Sequence, residues 1–249
     1  MPGSIINYLF ALNLPPDKAI EYFQSKGYAF SWNWFDVWEE QHTQAFTVAK
    51  VMKLDLLMDI ENIVNQFISG DMDYRLATRN LEAKLRAKGW WGKQRQINPV
   101  TGEEEIVQLG SPRRVKTILE TNMNVSLAAG RERTMLDQVS FAPWWQYVTQ
   151  DDDRVRIKHD EAGKVFTNAV LRYDNPFWRI WFPPNDWGCR CDVKSFTDQQ
   201  VKELNLKILT DEDVAALGKP AAGWQHNPLS GFNPDLSKYP KKLVDGVGL

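Results

Sequence analysis

Asp153–Cys191 reads DRVRIKHDEAGKVFTNAVLRYDNPFWRIWFPPNDWGCRC; it opens on a charged run carrying His159 and closes on the only two cysteines of the chain. No other segment gathers so many side chains capable of chemistry. Short β-type runs at Lys164–Phe166, Phe177–Phe182 and Cys189–Val193 are separated by Gly, Asn and Pro, the pattern of short strands between turns. In a strand, Cys189 and Cys191 would present both sulfurs on one face, about 7 Å apart, with Arg190 on the other. That geometry suits two thiolates on one soft metal and disfavours a disulfide between them. His159 is the natural third ligand, and Asp160 or Asp186 could be the fourth. Structural zinc takes four Cys or His ligands at regular spacing, and only three soft ligands exist here. The preferred reading is therefore no cofactor, with the cysteines acting as small buried hydrophobes. Zinc on His159, Cys189 and Cys191 is the alternative. A Cys–His nucleophilic dyad has no local signature behind it. Asp151, Asp152, Asp153, Asp160 and Glu161 lack the order of a calcium loop and read as a solvated acidic loop.

Working outward, Pro143–Thr149 is aromatic and β-branched and reads as a strand running into the acidic loop. Ser111-Pro112 starts a helix, serine at N-cap and proline at N1, that runs to about Ala129 before Gly130. Arg113, Arg114 and Lys116 sit in its first turn, where the helix dipole disfavours cations, and so are candidates for contact with DNA or an acidic partner. Lys84, Arg86 and Lys88 form a second basic turn. Gly92–Gly110 flanks the turn-rich Asn98–Gly102 and reads as a β-hairpin, with Lys93 and Arg95 facing Glu103 and Glu105. Asp36–Ser69 carries apolar residues every three to four positions, and Asp73–Lys88 does the same. With Gly70 and Gly89 as terminators, these two read as an antiparallel helical pair. His42 lies on the first of them as a solvated or core-edge histidine. A small helix from Pro15-Pro16-Asp17 precedes the pair. Thr197-Asp-Gln-Gln200 and Thr210-Asp-Glu-Asp213 open two short capped helices, and the tail from Gly218 reads as extended.

With 249 residues the chain can bury a sizeable core, and a net charge of −2 argues against a dedicated nucleic-acid binder. Eleven tryptophans, several in near-pairs, suit cores and protein interfaces alike and favour an assembly component. No window approaches the ~20 apolar residues of a membrane helix, and no signal peptide is legible; synthesis in a reducing cytoplasm is the expectation.

The string of Asp153, Arg154, Val155, Arg156, His159, Gly163, Pro183, Pro184 and Cys189-Arg190-Cys191 resembles the phage head morphogenesis family, typified by the F-type minor head proteins of Mu-like phages. FDVWEEQHTQAFTVAKVMKLDLLMDI, LRAKGWWGK, RRVKTILETNMNVSLAAGR and the closing GFNPD extend the resemblance over nearly the whole chain. The more distant SPP1-type members carry C-x-x-C where this chain has Arg156–His159, and His where it has Asp186. The resemblance thus implies a depleted soft-ligand set here, with Arg156 free to pair with Asp186 or Asp160. It also implies a minor capsid protein of the virion, made in the host cytoplasm, that binds portal, major capsid or scaffolding protein and contacts packaged double-stranded DNA. An enzyme using the His159/Cys189/Cys191 cluster and an ejected DNA-binding protein are the rival readings. The expected fold is α+β. Residues 1–35 form an arm, 36–142 a helical region with the hairpin at about 92–110, 143–217 the short-stranded motif region, and 218–249 an extended tail.

Overall fold

The computed structural model describes residues 16–33, 44–150 and 152–229. In chain order the elements are α1 (Pro16–Gln24), β1 (Gly27–Tyr28), β2 (Ala45–Phe46), α2 (Leu54–Ile68), α3 (Tyr74–Ala87), β3 (Lys93–Ile97), β4 (Glu104–Gln108) and α4 (Pro112–Asp137). There follow β5 (Trp144–Val148), α5 (Ile157–Val165), β6 (Ala169–Arg172), α6 (Trp178–Trp181), β7 (Asp192–Phe196), α7 (Asp198–Glu203), β8 (Lys207–Ile208) and α8 (Asp211–Ala215). This is a mixed α+β fold with its long helices in the N-terminal half, as the periodicities indicate.

α2 and α3 form the antiparallel pair. Leu56, Leu57, Ile60, Val64 and Phe67 of α2 and Ala77, Leu81 and Leu85 of α3 are buried together. Gly70 and Gly89 take the left-handed conformation that ends each helix (φ 79° and 71°). Lys88 reaches back to Asp55 at 2.8 Å and Lys84 to Asp59 at 3.3 Å, so these two lysines of the second basic turn are committed to the neighbouring helix, while Arg86 pairs with Glu82 of its own helix. Of the helical stretch read over Asp36–Ser69, residues 36–43 lie outside the described residues; beyond them it is interrupted, with Ala45–Phe46 pairing in parallel with Gly27–Tyr28 and α2 running from Leu54. Phe46, Val48 and Val51 are drawn into the core from β2 and the turn that follows it. His42 and GFNPD lie outside the described residues.

The hairpin β3–β4 pairs Lys93 with Gln108 through Ile97 with Glu104. Asn98 closes its loop, donating its N–H to the Glu103 carbonyl and its side-chain amide to Glu105. Arg95 pairs with Glu104, at 3.1 Å, instead of Glu103 or Glu105. One face of the hairpin leans on the first core through buried Val107. The other exposes Ile97 and Ile106, with Val100 at the tip.

α4 is longer than its sequence pattern indicates and passes straight through Gly130 to Asp137. Gly130 is no terminator: a Cβ there would lie 2.8 Å from the backbone nitrogen of Ala19. Its bare Cα lets α1 lie directly on α4, and Arg133–Glu21 (2.7 Å) and Lys18–Asp137 ion pairs flank the contact. At 1.5 Å per residue the 26 residues of α4 span about 39 Å. Val115, Ile118, Leu119 and Met123 belong to the first core and Met135 to the second, so one helix ties the halves together.

The second core sits on a four-stranded sheet of order β7-β5-β6-β8. β5 is antiparallel to both β7 and β6, and β6 is parallel to β8. Its centre is aromatic: Trp145, Trp178 and Phe182 meet edge to face, and Phe177 stacks on Trp181. Two runs read as strands are helical instead. Lys164–Phe166 is the end of α5, and Phe177–Phe182 wraps α6, whose Trp178 and Trp181 need a helical turn to face the same core. Thr197 and Thr210 open α7 and α8 with capping boxes, as read.

Candidate functional site

The two ends of the Asp153–Cys191 stretch meet beside β5. The chain leaves β5 through the acidic loop and enters α5 with Arg156 at its N-cap. α5 then presses onto the end of β5. Gly163 permits this, since a Cβ there would fall 2.5 Å from Thr149 Oγ1. This approach places His159, on the inner face of α5, in a buried position.

The second half arrives after α6. Pro183 and Pro184 are buried and joined by a cis peptide bond. Asn185, fully buried, accepts a hydrogen bond from the Tyr147 hydroxyl at 2.8 Å. Gly188 turns the chain at φ 65°. Cys189–Cys191 then precedes β7 instead of lying within it, which corrects the strand reading. Outside a regular strand, both sulfurs converge on one ring nitrogen. Cys189 Sγ lies 3.7 Å and Cys191 Sγ 3.5 Å from His159 Nδ1, and the three atoms all fall within 4.8 Å of one another.

Ion pairs clamp the rim. Arg156 Nε meets Asp186 at 2.7 Å and its Nη2 donates to the Trp187 carbonyl at 2.6 Å, so the pairing is with Asp186; Asp160 is taken by Lys164. Neither aspartate joins the sulfur–imidazole cluster. Arg190 forks onto Asp152 at 2.6 and 2.7 Å, holding that carboxyl down to about 2, while Asp152 also accepts from the Arg154 N–H. Asp153 is exposed and joins no cluster among the described residues. Within the pair of thiols, the hydrogen bond from Cys191 holds Cys189 well below the usual range against its own burial. The same bond, with burial, pushes Cys191 up. Burial also raises Tyr147.

The basic first turn of α4 divides. Arg113 and Lys116 are exposed, Lys116 standing 3.7 Å from Glu120. Arg114 turns inward: its Nη1 donates to the Gln108 carbonyl at 2.8 Å and its Nη2 to the Ala49 carbonyl at 2.7 Å. Its guanidinium lies over the Trp90 ring, 4.7 Å from the centroid, and burial lowers it to about 10. Arg114 therefore ties the hairpin base to the segment that precedes α2.

Two buried polar groups have no sequence signal of their own. Glu132, in mid-α4, accepts a hydrogen bond from the Asn227 amide, which also donates to the Trp178 carbonyl at 3.3 Å. Burial pushes its carboxyl up to about 8. With Trp181 Nε1 donating to the Gly218 carbonyl at 3.0 Å and Trp187 packed against Trp224, these contacts hold the described part of the tail against the second core.

The clamp and its cysteine pair lie within the part of the chain that the model of the family "Phage Mu protein F like protein" matches, residues 70–194. The chain belongs to that family. It is 34% identical, over 98% of its own length, to the putative capsid assembly protein F of Escherichia phage Mu, of which the match covers 61%. It is 38% identical, over 78% of its length, to the Mu-like prophage FluMu F protein of Haemophilus influenzae, of which the match covers 44%. The chain thus spans about half to three fifths of the length of these relatives. No solved structure matches it.

Proposed function

We propose that this protein is a minor capsid component of a Mu-like tailed phage, acting in head assembly by binding other head proteins. The observation that carries the reading is the similarity to the capsid assembly protein F of phage Mu along 98% of the chain. The structure supports a binding role in a specific place. The exposed face of the β3–β4 hairpin presents Ile97 and Ile106 with Arg95 and Glu104 beside them, and Val100 projects at the tip. Aliphatic side chains ringed by charge are the composition of a protein-binding patch. The partner is portal, major capsid or scaffolding protein, and the virion capsid is the destination. Packaged DNA would meet Arg113 and Lys116, the exposed cations of α4, through a salt-dependent contact. In this reading the Asp153–Cys191 region is a structural clamp that carries out no turnover. No helix among the described residues is long and apolar enough to cross a membrane.

Co-expression of the tagged chain with the portal, major capsid and scaffolding proteins of its phage tests the reading. Stable co-purification with at least one of them is expected. Recovery of the chain alone in every pairing would refute it.

A further inference from the structure

The sulfur–imidazole cluster has the spacing of a ligand set. One ring nitrogen, His159 Nδ1, faces two sulfurs at 3.5 and 3.7 Å. That nitrogen holds one proton or one lone pair and can complete a directed hydrogen bond to only one of them. A metal ion among the three atoms would engage all of them together. With Zn–S about 2.3 Å and Zn–N about 2.0–2.1 Å, a tetrahedral centre sets S···N edges of about 3.6 Å. Both observed separations match that edge. Sulfur to sulfur the same geometry calls for about 3.8 Å, inside the 4.8 Å that bounds the three atoms.

Access fits as well. A cavity of about 10 Å³ opens beside the cluster, lined by Gln150, Gly188 and the motif arginines. Its size is that of one water molecule, the fourth ligand of a three-residue site. The charge also balances: two thiolates neutralise a divalent ion. Arg156 and Arg190, each already engaged with a carboxylate, ring the opening. The ligands come from both halves of the motif, His159 from α5 and the cysteines from the segment before β7. An ion there would join the same two segments that the Arg156–Asp186 and Arg190–Asp152 pairs join.

We infer that His159 Nδ1, Cys189 Sγ and Cys191 Sγ bind one soft divalent metal ion of the zinc class, with water completing the tetrahedron. This reverses the cofactor-free reading of the sequence, which counted ligands without seeing a fourth position open to water. It stands independently of the head-assembly role.

The test uses the full chain, purified without chelator and loaded with zinc chloride. After gel filtration, about one zinc per chain is expected. With Co²⁺ in place of zinc, sulfur-to-cobalt charge transfer and the intense visible bands of a tetrahedral site are expected. Zinc should also protect both thiols from a thiol reagent, and Cys191→Ser should weaken metal binding at least tenfold, on the order of a lost ligand. The cobalt spectrum and the thiol protection are read on the unaltered chain, so they hold even if the variant misfolds. A chain that retains no zinc, gives no charge-transfer band and reacts equally at both thiols with or without zinc would overturn the inference.

Discussion

Glu132→Gln offers a quantitative test of how the tail is held. Glu132 is 4% exposed, with one oxygen bonded to Asn227 and the other without a hydrogen-bond partner. Burial raises its carboxyl to about 8 in the folded chain from the ordinary 4.5. The folded state therefore favours the protonated acid. Its contribution to stability is full below about pH 4.5 and is lost as the pH rises towards 8 and beyond. At about 1.4 kcal/mol per pH unit, that gap amounts to roughly 5 kcal/mol once the folded group is ionised. Gln keeps the acceptor for Asn227 and cannot ionise. Urea unfolding of both chains at pH 5 and pH 9 gives the readout. At pH 5 the two should agree within about 1 kcal/mol, and at pH 9 the variant should be the more stable by several kcal/mol, on the order of the ionisation penalty. An equal difference at the two pH values would refute the argument, because it would mean that Glu132 is not held neutral by burial.

Three further outcomes follow from particular contacts. Gly130→Ala should destabilise by about 1–3 kcal/mol in thermal or chemical unfolding, despite the helix-propensity gain of about 1 kcal/mol, because its Cβ would meet the Ala19 backbone. Arg114→Lys should cost about 1–3 kcal/mol by the same assay, since an ammonium cannot reproduce a fork that serves the Gln108 and Ala49 carbonyls while stacking on Trp90. Ile97→Lys with Ile106→Lys should change stability by no more than about 0.5 kcal/mol per site, both side chains being about 70% exposed (68% and 70%). The same pair should weaken capture of a head protein at least tenfold, on the order of a lost interface anchor, measured by pull-down.

Local signals with a direct physical cause were legible. The helix caps at Ser111 and Thr197 and the hairpin about Asn98–Gly102 all appear where their residue types call for them. The Arg156–Asp186 pair was legible only as one of two options, since spacing does not reveal which aspartate the loop brings round. What was hidden depended on contacts distant in the chain. Gly130 looks like a stop until α1 is seen lying across it. Phe177–Phe182 has the composition of a strand and folds as a turn of helix because Trp178 and Trp181 must reach one core. Glu132 and Asn227, 95 positions apart, carry no pattern linking them. The convergence of Cys189 and Cys191 on His159 was foreseen as a pairing of residues. The distances between them come from loop backbone that no strand period describes.

The most direct test of the central claim is the fate of this polypeptide in assembling heads. Proheads isolated by sedimentation from cells producing the phage, with their proteins quantified by mass spectrometry, should contain the chain at a fixed ratio to the portal protein. Its absence from proheads, with the whole pool remaining in the unassembled fraction, would contradict the account.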